Sequence, residues 1–267
     1  MFEAMRESVS GIKHPAFRDA LGLTRTAGRT ASGRFLVEDA SMVRQALAVE
    51  SLTVFGVFAT FDAAPQFEES CVARKIPLYV LSGGLIHKLV GTGYETAVEA
   101  VAVVAQRRVE PGDLLAPGAL ILCGEKIQDP RNVGVLIRTA DALGCSGLLL
   151  SADSAEPWQR QAVRSTTGSI LRLPISLSEK LPAALDNLRA RGATVVSSSG
   201  GAEKTAAEAD LSVRPLILVV GNEGDGITEG VRAASDSVIK LPMAAHTGAD
   251  SLNVTVAAGM LLYEATR

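Results

Sequence analysis

ALILCGEKIQDPRNVGVLIRTADALGCSGLLLS, residues 119–151, decides the fold. Two runs of continuous apolar residues, ALILCG and SGLLLS, flank a helix-like stretch, VGVLIRTADALG. A strand that is apolar at every position is buried on both faces, the situation of parallel sheets covered by helices on each side. The alternation continues downstream. EKLPAALDNLRARG reads as another helix, and ATVVSS, LILVVG and SVIKLP read as further strands. The pattern predicts an α/β domain with a parallel sheet over residues 119–267. Ligands of such sheets bind beyond the carboxyl ends of the strands, so the loops there are where chemistry is sought.

Upstream, the first hundred residues alternate shorter apolar runs with helical patterns: RFLVED, ASMVRQALAV, LTVFGVFA, PLYVLS and AVEAVAVVAQ. This predicts a second, smaller α/β domain over residues 1–107. RRVEPGDLLAPG, residues 107–118, carries charges, prolines and glycines, and residues 108–118 are read as a linker. A chain of 267 residues has room for two such domains, and 47% hydrophobic with 21% charged residues excludes extensive disorder.

No run approaches the roughly 18–20 apolar residues of a membrane span, and MFEAMRESVSG lacks a signal-peptide pattern, so a cytoplasmic location without membrane contact is expected. Cys71, Cys123 and Cys145 are scattered and odd in number, which predicts neither disulfides nor a metal site. A net charge of −3 argues against non-specific coating of nucleic acid. A local basic strip survives that balance. Lys13, Arg18, Arg25, Arg29 and Arg34 face the single acidic residue Asp19 between residues 11 and 35, and are candidate phosphate contacts. A solvated surface would have the same composition.

Three loops stand out. In the first, Asp129, Pro130 and Asn132 form a turn-and-cap sequence before a helix carrying Arg138. By itself this supports no more than a capped helix with a surface arginine. In the second, LILVVGNEGDGITEG, residues 216–230, a buried strand runs into a glycine-rich turn with Asn222 and Glu223. Its Gly224, Gly226 and Gly230 are spaced G-x-G-x-x-x-G, which departs from the dinucleotide-binding G-x-G-x-x-G. The third, LPMAAHTGADSLNV, residues 241–254, leads from a strand to a last helix that Ser251 is placed to cap. Of the three histidines, His14, His87 and His246, none has a partnering motif, and no G-x-S-x-G elbow supports a hydrolase. His246 lies in the third loop and is a candidate substrate contact.

Taken in order, D-P-x-N-x-G-x-x-x-R, G-N-E-G-x-G and L-P-M…S-L-N-V resemble the SpoU (TrmH) branch of the SPOUT superfamily of RNA ribose 2′-O-methyltransferases. The resemblance spans the C-terminal domain. GRFLVED, residues 33–39, more loosely resembles the L30e-like substrate-binding domain that many of these enzymes carry, with Asp39 where they have glycine.

The resemblance implies a parallel-sheet SPOUT fold with a C-terminal trefoil knot, S-adenosylmethionine as cofactor, an RNA substrate and a homodimer. By position, Gly221, Leu241 and Leu252 would give backbone contacts to the cofactor, with Ser197, Asn222 and Met243 nearby. Arg138 would be the central catalytic residue, often supplied across the dimer, with Asn132, Glu223, Ser251 and Asn253 organising acceptor and cofactor. A guanidinium, which stays charged in proteins, suits Arg138 to clamping an RNA phosphate rather than to serving as a base. No metal is implied. The last helix, VTVAAGMLLYEATR, is apolar on more than one side, which fits a covering partner. DNA lacks the 2′-hydroxyl and is excluded as the acceptor. The separate N-terminal domain favours ribosomal RNA over tRNA, and a non-catalytic RNA- or ribosome-binding protein of the same fold is the alternative of another class. Some relatives protect their hosts from ribosome-directed antibiotics by such methylation; housekeeping and resistance roles both stay open.

Overall fold

The computed structural model describes residues 6–90, 98–244, 248 and 250–267. His246 lies outside the described residues. The chain forms two compact units, one from Met1–Gln106 with Trp158–Leu171, the other from Arg107–Pro157 with Arg172–Arg267.

Unit 1 contains β1 (Arg6–Val9), α1 (Pro15–Gly22), α2 (Thr26–Ser32), β2 (Arg34–Glu38), α3 (Ala40–Ala48), β3 (Val54–Thr60), α4 (Glu68–Ala73), β4 (Leu78–Leu81), α5 (Gly83–Val90) and β5 (Ala100–Ala105). Its five-stranded sheet runs β1-β4-β3-β5-β2. β1, β4 and β3 are parallel, whereas β5 is antiparallel to both its neighbours. Phe17 of α1 and Ile86 of α5 pack with Leu36, Phe58 and Val101 of the sheet into a closed apolar core. Asp39 has φ of 84°, the left-handed region that favours glycine. Its side chain accepts a hydrogen bond from the Ser41 backbone N–H at 2.7 Å and caps α3, which recovers part of the conformational cost.

Unit 2 opens with β6 (Leu120–Gly124), α6 (Pro130–Ala142) and β7 (Gly147–Ser151). The chain then contributes the segment carrying α7 (Arg160–Ser165) to unit 1 and returns with β8 (Ile175–Ser178). α8 (Leu181–Ala190), β9 (Thr194–Ser198), β10 (Lys204–Thr205), β11 (Leu216–Val220), α9 (Glu229–Ala233), β12 (Ser237–Lys240) and α10 (Val254–Ala265) complete it. The sheet order is β10-β12-β9-β11-β6-β7-β8, and every pair is parallel. β6, β7 and β11 are buried at all positions, as their continuous apolar sequences predict.

Two expected boundaries move. Residues 108–118 are built into unit 2 rather than being a free linker: Arg108 pairs with Ile175, and Leu114, in a 3-10 turn at Pro111–Leu114, belongs to the unit 2 core. Trp158–Leu171 belongs to unit 1 rather than to the domain expected over residues 119–267. Its Arg160 meets the buried Glu38 carboxylate at 2.8 Å, a partner 122 residues away that local periodicity does not reveal. Burial raises the Glu38 pKa, and Arg160 opposes the rise. Among the described residues, no helix is long and apolar enough to cross a membrane.

Candidate active site

Parallel strands in register end together, and here the carboxyl ends of β9, β11 and β12 leave a cavity of about 570 Å³. It lies beside the β6–β11 pair, where the strand order reverses direction and α/β sheets open a crevice. Gly221, Asn222, Glu223, Leu241, Met243, Ser251 and Leu252 line it, so residues from the second and third loops converge.

The second loop is a tight, internally bonded turn. Asn222 and Gly226 exchange backbone hydrogen bonds of 2.9 and 3.0 Å, with Gly226 at φ of 70°. Asn222 Oδ1 accepts from the Gly224 and Asp225 N–H groups, while its Nδ2 donates to the Lys126 carbonyl at 2.8 Å. Buried Glu125 accepts from the Thr228 N–H and hydroxyl at 2.8 and 2.6 Å, which ties the same turn to the end of β6. Gly221 is pressed against this turn. A methyl group there would run into the Gly226 carbonyl and lie 2.5 Å from Ile227 N, so no larger residue fits without moving backbone.

The first loop reaches the same mouth through side chains. Asp129 caps α6, and hydrogen bonds from the Arg131 side chain and backbone hold its carboxyl below the usual range. Asn132, in the first turn, donates from Nδ2 to Glu223 Oε1 at 2.7 Å. Asn253 Nδ2 donates in turn to Asn132 Oδ1 at 3.4 Å. One polar chain, Asn253 to Asn132 to Glu223, therefore joins all three loops.

Other sequence expectations are corrected. Ser197 is fully buried with its hydroxyl 2.5 Å from that of Ser235, and Ser198, Ser199 and Gly200 line the cavity instead. At the end of β9 Ser198 faces opposite to Ser197, and Ser199 lies beyond the strand, so the run of three serines hid which of them are presented. Asn253, not Ser251, caps α10: its Oδ1 accepts from the Thr255 N–H and hydroxyl. Arg138 lies about 9 Å along α6 from Asn132 at the usual helical rise. It is exposed, does not line the cavity, and bonds no other described residue. In unit 1, Lys13, Arg18 and Arg25 are exposed, but Arg29 is buried, donating to the Leu23 carbonyl and the Thr26 hydroxyl. Arg29 is thus a structural tie for the turn between α1 and α2. Arg34 stacks on Phe55.

The cavity suits S-adenosylmethionine on chemical grounds. Its size lies within the range of small-molecule sites. Glu223, Asp225 and Asp250 outnumber Lys240 on its walls, a balance that favours a donor with sulfonium and ammonium charges. Leu241, Met243 and Leu252 offer apolar surface, and the Gly221 turn lets backbone approach closely. Among the described residues, no group of His, Cys, Asp or Glu side chains is placed to hold a metal.

A parallel sheet with an acid-lined cavity at the carboxyl ends of its strands has the build of an enzyme that binds S-adenosylmethionine. Residues 119–263 match the SpoU rRNA Methylase family, and the chain belongs to that family. It is 30% identical over 262 residues to an uncharacterized tRNA/rRNA methyltransferase of Synechocystis sp., covering 97% of this chain and 93% of that one. An AdoMet-bound rRNA methyltransferase from Sinorhizobium meliloti superposes with a TM-score of 0.84 at 26% identity over 98% of both chains. A solved RNA 2′-O ribose methyltransferase superposes with a TM-score of 0.77 at 26% identity, again over 98% of both chains. The protein is an S-adenosylmethionine-dependent tRNA/rRNA methyltransferase of the SpoU/TrmH family.

Proposed function

We propose that the enzyme methylates a ribose 2′-hydroxyl of ribosomal RNA. The observation that carries this reading is the polar chain from Asn253 through Asn132 to Glu223 at the mouth of the cavity. It presents amide and carboxylate groups where an acceptor hydroxyl would meet a methyl donor. The bound cofactor supplies a methyl group activated by a positive sulfur. The protein's part is alignment and proton management. Gly221, Leu241 and Leu252 hold the cofactor through backbone, beside Asn222 and Met243. Asn132, Glu223, Ser251 and Asn253 fix the hydroxyl, and Arg138 clamps the neighbouring phosphate and steadies charge developing on the oxygen. The Glu223 carboxylate would take the hydroxyl proton as the cofactor's methyl passes to O2′, the cofactor being left as a neutral thioether. Ribosomal RNA is favoured by the separate unit 1 and by the rRNA methyltransferase among the solved structures.

The test is incubation with labelled S-adenosylmethionine and either ribosomal RNA or tRNA, followed by mass spectrometry of the nucleosides. Expected is a 2′-O-methylated nucleoside from ribosomal RNA. Methylation on a base, or on tRNA alone, would overturn the reading.

The working unit in this proposal is a cytoplasmic homodimer. On α10, Val256, Met260 and Tyr263 expose 50, 47 and 59% of their surface at helical spacing, an apolar stripe unsuited to water. α10 packs on α6, the helix that carries Arg138, with Gly259 beside Thr139. A second copy covering the stripe would bring another chain toward the site. Met260→Asp is expected to convert the dimer to a monomer in sedimentation and to abolish methylation. A monomeric wild type with full activity would refute the dimer.

A further inference from the structure

Unit 1 holds a groove of about 470 Å³ walled by α1, α2 and the strands β2 to β4. Its features are organised around Arg34 and Phe55. The pairing of β3 with β5 slips between Val54 and Gly56, so Phe55 occupies a β-bulge, a device that re-aims a side chain. Phe55 is 36% exposed, although it sits in a strand whose neighbours are buried. The Arg34 guanidinium lies 3.8 Å from the Phe55 ring centroid. Arg34 Nε is buried without a hydrogen-bond partner, and among the described residues no group accepts from its guanidinium.

A guanidinium held by stacking, with its donors unspent, awaits a ligand that offers acceptors. The remaining wall supplies complementary chemistry. Asp19 adds an acceptor, and Tyr79 adds an aromatic surface already stacked on Phe58 at 4.9 Å. Burial, reinforced by Glu7 and Asp19, raises the Tyr79 pKa. Exposed Lys13, Arg18 and Arg25 lie on α1 or beside it, within reach of a phosphate backbone.

We propose that this groove receives one unpaired nucleotide of the RNA substrate, its base stacked on the Arg34–Phe55 pair, with guanine preferred. Guanine is preferred because its Watson–Crick edge donates two N–H groups that the Asp19 carboxylate can accept while the guanidinium covers the ring face. The proposal rests on RNA being the substrate.

The test uses the full chain and three fluorescein-labelled RNAs: U12, the same strand with one central guanosine, and a mixed-sequence 12-base-pair duplex. Wild type is expected to bind the guanosine strand more tightly than U12. Arg34→Ala, Arg34→Lys and Phe55→Ala should each weaken that binding about tenfold, as loss of a stacked base does, and erase the preference for guanosine. Duplex binding and calorimetric S-adenosylmethionine binding should be unchanged, which excludes misfolding. Rescue by Arg34→Lys would reduce the site to a simple charge and overturn the nucleobase part. Equal losses on strand and duplex would overturn the groove, as would variants that bind like wild type. A wild type that binds none of these RNAs also overturns it, while the methylation assay judges the enzyme's function separately.

Discussion

Replacing Gly221 with alanine is expected to weaken S-adenosylmethionine binding by about 1–3 kcal/mol, roughly ten- to a hundredfold in Kd, because overpacking against fixed neighbours costs that much. The reason is geometric. The added methyl would meet the Gly226 carbonyl and Ile227 N, which are backbone atoms of a turn pinned by Asn222, Gly226 and the Glu125–Thr228 pair. No side chain can swing away to make room. Either the turn shifts, moving the wall that carries Asn222 and Glu223, or β11 shifts, which disturbs a buried strand. Gly224→Ala is the matched control in the same turn. Its methyl would lie 3.4 Å from Asn222 Oδ1, an ordinary contact, and binding should stay near the wild-type value. Titration calorimetry on both variants, with thermal melts alongside, checks the contrast. If Gly221→Ala bound the cofactor as wild type does, this turn would not be the wall against which it rests.

The contrast between Gly221 and Ser197 shows what sequence carries and what it does not. Gly221 follows a strand whose every residue is apolar, so its place at the carboxyl end of a parallel sheet follows from the pattern alone. Leu241 was legible only through the family resemblance, because β12 before it reads SVIK and buries only Ile239. Ser197 sits in a strand that ends in identical serines, and only the phase of the pleat sends its hydroxyl to Ser235 rather than to the cavity. Arg29 illustrates a second limit. Its charge suggested a surface role, but the turn between α1 and α2 leaves the Leu23 carbonyl needing a donor, which Arg29 supplies from a buried position. The docking of Trp158–Leu171 in unit 1 and the bulge at Phe55 depend on contacts far apart in the chain or on strand register, and neither leaves a local periodicity. The resemblance named Asn132, Glu223 and Asn253 together, but that they hydrogen-bond one another is a property of where the sheet places their loops.

Arg138→Ala is expected to lower kcat by about two to three orders of magnitude, the usual cost of removing a donor that stabilises developing charge, while leaving S-adenosylmethionine affinity unchanged. Unchanged affinity follows from its position. Arg138 is exposed on α6, outside the cavity, and bonds no other described residue, so its removal disturbs no packing. Arg138→Lys keeps the charge but loses the planar fork, and it should recover only a small part of the rate if the arginine grips a phosphate through two parallel hydrogen bonds. Near-wild-type turnover of the lysine variant at saturating RNA would remove the bidentate clamp. Whether the arginine serves its own chain or a partner's can be decided by mixing two impaired proteins at an S-adenosylmethionine concentration that fills the wild-type cavity but leaves the Gly221→Ala cavity largely empty. An Arg138→Ala protomer keeps an intact Gly221 turn, and a Gly221→Ala protomer keeps an intact Arg138. In a mixed dimer with cross-subunit sharing, one of the two sites then combines a sound cavity with a sound arginine. Random exchange makes about half the dimers mixed, so activity should return to about a quarter of wild type. With each arginine serving its own cavity, every site in every dimer would carry one defect, and the mixture would stay as impaired as its parents.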